Sequence, residues 1–148
     1  MLISRSNSLT IHVVRKLKLA VFTWKGFTSS KAFKEGTIQL LDTLRLYPEV
    51  TRIILNTRDH HHVMHADIMA SVYSTVEYLG IAKGSYKMAV LPPSDILAKN
   101  SIDWYVDSLN NTSKKRFVVK KHKTMKNAFS WLTLPRVLSW FNVSLWSA

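Results

Sequence analysis

Four histidines, His60, His61, His62 and His65, fall within six residues, bracketed by Asp59 and Asp67. Imidazole ligates metals and titrates near ~6.5, so the cluster suits two chemistries. If a helix starts early, His61 and His65 stand i,i+4 and can share a Zn²⁺, Ni²⁺ or Cu²⁺ ion. Otherwise, four close imidazoles would charge together in acid, as a pH sensor does. The plainer alternative is a polar loop capping the helix that follows. Consecutive histidines cannot all point one way, and no distant ligand is marked out, which favours the plain loop.

A second constellation is basic. Lys114, Lys115 and Arg116, then Lys120, Lys121, Lys123 and Lys126, place positive charge at both ends of Phe117-Val118-Val119. Such a run serves an anionic partner: nucleic acid, an acidic protein or anionic membrane lipid. It also serves as a lysine guard on an edge strand. No pattern of stacking aromatics accompanies it, which favours the guard. The chain lacks cysteine, so thiolate nucleophiles, disulfides and Cys-ligated metals are excluded. It also lacks G-x-S-x-G, a Gly-rich phosphate loop and H-E-x-x-H. The expectation is a non-enzymatic protein without a cofactor.

The elements that must position these groups follow from hydrophobic spacing. Ser8 to Val14 and Leu17 to Trp24 alternate and read as a hairpin. Thr28, Ser29 or Ser30 caps a helix to about Leu46, with Phe33, Ile38, Leu41 and Leu44 as its stripe and Gly36 as a weak point. Thr51 to Asn56 is a strand, followed by a polar loop to His65 and a helix from Ala66 to Leu79. Tyr86 to Leu91 is a strand stopped by Pro92-Pro93. Ser94 or Asp95 caps a helix to Leu109, with Trp104 off its inward stripe as a candidate contact residue. Arg116 to Lys120 is a strand, and Thr124 caps the last helix. The order β-β-α-β-α-β-α-β-α predicts an α/β fold with a mixed, mostly parallel five-stranded sheet and four helices.

The chain has 148 residues, with 21 Lys plus Arg against 9 Asp plus Glu. Residues 1–34 hold seven basic groups and no acid, and residues 108–148 hold eight and no acid, around a mildly acidic middle. No stretch is apolar enough for a membrane span and no signal peptide stands out, so a cytoplasmic domain is expected. A domain over 1–133 is followed by an apolar tail, 134–148. Leu134, Leu138, Phe141 and Leu145 have helical spacing there, suited to packing on the domain or a partner, or to a lipid interface.

Several short motifs carry a family resemblance. They are Trp24-Lys25-Gly26, Ile53-Ile54-Leu55-Asn56 before Arg58, Lys87-Met88-Ala89-Val90 before a proline, and Asn127-Ala128-Phe129-Ser130-Trp131-Leu132. Over Leu17 to Leu132 the chain resembles the SpoIIAA-like, or STAS-like, bacterial proteins. The resemblance implies a regulatory or binding module, a homodimer, acting through protein contacts or a small ligand. The site would lie near the loops after the third and fourth strands, at Asn56, Arg58, Asp59, His61, His65, Pro92 and Ser94. STAS phospho-switches place a phosphorylatable serine beside a small residue there; Thr57 to Asp67 has no serine or glycine, which argues against a kinase-operated switch. The alternatives are a basic-surface binder of anionic partners and a carrier of an apolar ligand, as in the distantly similar CRAL-TRIO-like folds.

Overall fold

Runs of alternating or continuous apolar residues build six strands: β1 (Leu2–Arg5), β2 (Leu9–Val14), β3 (Leu19–Gly26), β4 (Arg52–His60), β5 (Tyr86–Leu91) and β6 (Phe117–Lys121). Four helices join them: α1 (Ser30–Leu46), α2 (His65–Ile81), α3 (Ile96–Thr112) and α4 (Met125–Trp131). These counts belong to residues 1–6, 8–61, 63–82 and 84–134, which the computed structural model describes. The strands lie in chain order across one sheet. β1, β2 and β3 are antiparallel neighbours, whereas β3 to β6 are parallel. The fold is therefore α/β with a mixed sheet. The expected count of five strands is one short. β1 is the addition, held where the Val13 amide donates to the Met1 carbonyl at 2.9 Å.

Parallel crossovers are right-handed and here all step the same way, so they deliver α1, α2 and α3 to one face of the sheet. That face supplies Phe22, Trp24, Leu55, Met88, Val90 and Phe117 to the larger core. The opposite face carries Leu19, Val21, Ile54, Ala89 and Leu91, against Ala128, Leu132 and Leu134 in and after α4. The central strands are thus buried on both sides, which explains the unbroken run Ile53-Ile54-Leu55. Three helix starts are closed as the sequence predicts. Ser29 accepts from the Ala32 amide at 3.2 Å, Asp95 from Leu97 at 2.8 Å, and Thr124 from Asn127 at 3.1 Å.

α1 buries Phe33, Thr37, Leu40, Leu41 and Leu44, while Ile38 is 49% exposed. Placing Ile38 on the inward stripe was thus an error: one position past Thr37 is 100° around the helix. Gly36 is the point where Trp24 lands. A Cβ there would stand 2.1 Å from Trp24 Cη2, far inside contact distance. What reads in the sequence as a weak helix position is a notch for an indole.

β6 is an edge strand, and α3 seals it. The Asn110 amide donates from Nδ2 to the Val119 carbonyl and accepts at Oδ1 from the Val119 amide, both at 2.8 Å. Ser113 treats Phe117 in the same way, donating at 3.0 Å and accepting at 3.2 Å. Side chains stand in for a seventh strand.

Two outcomes follow. Gly36→Ala should lower stability to urea by about 1–3 kcal/mol through overpacking, despite alanine's better helix propensity. Trp24→Leu in the same chain should recover part of the loss; a Gly36→Ala chain as stable as wild type would contradict the notch. Asn110→Ala should cost about 1–3 kcal/mol by leaving two backbone groups unmade. It should also raise self-association in sedimentation, and an unchanged monomer–oligomer balance would deny the seal.

Candidate functional site

β4 runs four residues further than TRIILN predicts, and its extra length is irregular. Thr23 pairs with Asn56, but Lys25 pairs with Asp59 and Gly26 with His60. Two steps along β3 therefore face three along β4. This bulge reverses the inward–outward alternation. Leu55 and Thr57 face the helices, and after the bulge His60 does so instead of Asp59.

His60 is 4% exposed and lies in an aromatic stack. Its ring centroid is 5.1 Å from Trp24 and 6.4 Å from Phe33, and those two are 5.3 Å apart. Its Nε2 shares a 2.8 Å hydrogen bond with Thr28 Oγ1, in the loop between β3 and α1. Burial, and then the charge of His61, push its pKa down to about 4. The ring is therefore neutral at pH 7. A general base works best with a pKa near the operating pH, and Thr28 is itself buried. The hydroxyl–imidazole pair thus ties a loop to a strand rather than activating a nucleophile.

Beside the stack lies a cavity of about 30 Å³, reaching Thr37, Ser71, Ile102 and Tyr105. Its size matches about two water molecules. Thr37 Oγ1 donates to Ser71 Oγ at 3.1 Å across α1 and α2. Burial raises the Tyr105 pKa and keeps the phenol protonated.

The predicted site residues divide. Asn56 is buried, and its Oδ1 accepts from Arg58 Nε at 3.0 Å. Asp59 and His61 are exposed after the bulge, and the His61 amide donates to the Gly26 carbonyl at 3.0 Å. His65 opens α2, so His61 and His65 do not share a helix face; the expected i,i+4 arrangement is absent. Instead the His65 ring meets Trp104 edge-on at 4.1 Å. Among the described residues, no group of three or more His, Cys, Asp or Glu gathers as a metal site. Pro92 is half-buried and Ser94 exposed, both just before α3.

The basic run also divides. Lys114 and Lys115 form the turn into β6 with φ of 53° and 66°, a left-handed backbone uncommon for lysine. Lys121 and Lys123 lie about 20 Å away at the other end of the strand. Lys121 pairs with Asp103 at 2.5 Å. Arg116 is misplaced as a surface cation. Its guanidinium donates to the carbonyls of Leu79, Ala82 and Gly84, closing the end of α2. Lys120, Lys123 and Lys126 remain exposed.

Spacing does not reveal the groups that dominate this end of the sheet. Phe27, after β3, is 79% exposed, and Met64, after β4, is 63% exposed. Ile96 and Leu97, after β5, are 75% and 62% exposed. Ser101 Oγ donates to the Val63 carbonyl at 2.9 Å and pins the Met64 loop to α3. Among the described residues no helix is long and apolar enough to cross a membrane. Comparison of the chain with protein-family models, curated proteins and solved structures gave no match.

The buried His60 makes stability depend on pH in a defined direction. Its folded pKa lies below the unfolded value of ~6.5, so the unfolded chain binds the proton first as pH falls. Stability should be full above pH 6.5, fall between 6.5 and about 4, and level off below. The gap amounts to about 3 kcal/mol. His12 and His122, also lowered chiefly by burial, act in the same direction. Urea midpoints measured from pH 7.5 to 4.5 should fall steeply for wild type and less for His60→Gln. Equal slopes would exclude His60 as the source.

Proposed function

We propose that the chain is a non-enzymatic, STAS-like regulatory or binding module that grips a folded protein partner with the loops at the carboxyl ends of β3, β4 and β5. The observation that carries this reading is the exposure of Phe27 and Met64, in the loops after β3 and β4, and of Ile96 and Leu97, in the first turn of α3 after β5. Single exposed apolar residues are ordinary, but a cluster at the ligand-binding end of an open α/β sheet is not. Charges of both signs surround it: Lys25, Arg58 and Lys99 beside Asp59 and Asp67. A mixed rim around an apolar centre suits a protein better than a polyanion.

The STAS-like assignment rests on element order after the first hairpin and on the motifs of β3, β4, β5 and α4, with β1 as an addition. The aromatic stack serves as a rigid floor: Thr28 and His60 fix the Phe27 loop, and Ser101 fixes the Met64 loop. The basic-surface alternative is weakened by the separation of Lys114 and Lys115 from Lys121 and Lys123, and by the internal use of Arg116. The apolar-carrier alternative needs an enclosed apolar chamber: the space beside the stack is about 30 Å³, and the wider clefts, of about 360 and 550 Å³, are bordered by Lys31, Lys34 and Asp67 or by Arg45.

The reading is tested with a photo-crosslinking residue placed singly at positions 27, 64, 97 and 73 in cells that make the chain. Tyr73, exposed on α2, is the control. Positions 27, 64 and 97 should yield one common protein adduct that position 73 does not. Met64→Asp should reduce the adduct from position 27 about tenfold or more without lowering thermal stability. Absence of adducts, or the same adducts from position 73, would overturn the proposal.

A further inference from the structure

The cavity beside the aromatic stack has a polar side as well as an apolar one. Leu55, Ile68 and Ile102 line it, and so do His60, Ser71 and Tyr105. These last three come from β4, α2 and α3 and are only 4, 6 and 5% exposed. The Tyr105 hydroxyl has no hydrogen-bond partner among the described residues. Ser71 Oγ accepts from Thr37, and its own proton meets no acceptor among the described residues. His60 commits Nε2 to Thr28, which leaves Nδ1 over. Three elements thus bring a phenol, a serine proton and an imidazole nitrogen to the lining of one small space. Buried polar groups are ordinarily hydrogen-bonded, so these three point to a shared partner.

Size and chemistry select that partner. Internal cavities that stay dry are apolar, whereas one with two or more polar groups and room for a probe sphere holds water. The room here is about 30 Å³, which excludes anything much larger than two water molecules. Leaving two or three buried groups unmade costs more than immobilising a water. A metal ion does not suit the lining, which offers one imidazole and no carboxylate. Solvent is also close at hand. Phe33, Thr37 and Ser71 line this cavity and, in addition, an open cleft of about 360 Å³ between α1 and α2.

We propose that this cavity is a resident water site, in which one or two water molecules bridge Tyr105 of α3 to Ser71 of α2 and to His60 of β4. The bridge carries inward the hydrogen bonding that begins at Thr28, so the end of β4 and two helices are joined by polar links as well as by apolar contact. The cavity lies on the face of the sheet that α1, α2 and α3 cover; the apolar tail, beyond Leu134, lies outside the described residues. The site is enclosed, and it stands whether or not the exposed loops grip a partner.

Two measurements on the full chain test this. Water-selective nuclear Overhauser spectra should show long-lived water at the methyl groups of Ile68 and Ile102, which line the cavity. The methyls of Leu109, 0% exposed and away from the cavity, should show none. Tyr105→Phe removes one partner of the water and should lower the folded-to-unfolded ratio, from urea titration, about tenfold. In a dry cavity the same change would remove an unpartnered hydroxyl and leave the chain as stable or more so. The spectra of the wild type need no variant, so they decide the matter even if Tyr105→Phe does not fold. Absence of water signals at Ile68 and Ile102 would overturn the proposal, as would a Tyr105→Phe chain at least as stable as wild type.

Discussion

The extra residue in β4 between Asn56 and Asp59 sets the phase of everything at the carboxyl end of the sheet. Side chains alternate along a strand with a period of two, so one inserted residue exchanges inside for outside. Without it, Asp59 would point at Trp24 and Phe33, and a carboxylate would stand unpaired among aromatic rings. With it, a neutral imidazole enters the stack. From that imidazole the hydrogen bond to Thr28 fixes the loop that displays Phe27. The indole against which His60 stacks reaches onward to the notch at Gly36, so strand phase and helix packing are a single fitted unit.

The two faces of the sheet obey different rules. Three crossovers of one hand and one direction bring three helices to the first face, and the space left beside the aromatic stack is about 30 Å³. The second face has a seven-residue helix at its centre and a polar row beyond it. Burial there lowers the pKa of His12, with the amino terminus and Arg5 adding to the effect. A ring held neutral in this way can accept or donate a hydrogen bond without bringing a charge into the sheet.

Much of the fold was legible in the residues, because local rules carried it. Ser29, Asp95 and Thr124 mark helix starts by their chemistry, and Tyr86 to Leu91 ends where Pro92 removes a donor. β1 was not legible: it exists by pairing with β2, and four residues alone give no period. The site was read one residue out of phase. Asp59 and His61 were chosen where His60 enters the core, because a bulge is a relation between two strands and leaves no mark in one. Arg116 belonged to a basic run by composition, whereas its partners are carbonyls more than thirty positions earlier. Phe27, Met64, Ile96 and Leu97 share no period in the sequence; they come to one end of the sheet because β3, β4 and β5 are parallel neighbours.

The sealed edge at β6 limits how copies of this chain can join through their sheets. Asn110 and Ser113 occupy the outward backbone groups of Val119 and Phe117, so that edge accepts no further strand there. Two side chains at the end of α3 thus decide that no second sheet adds strands on this side, which removes the repeating edge-to-edge contact that a fibre would need there.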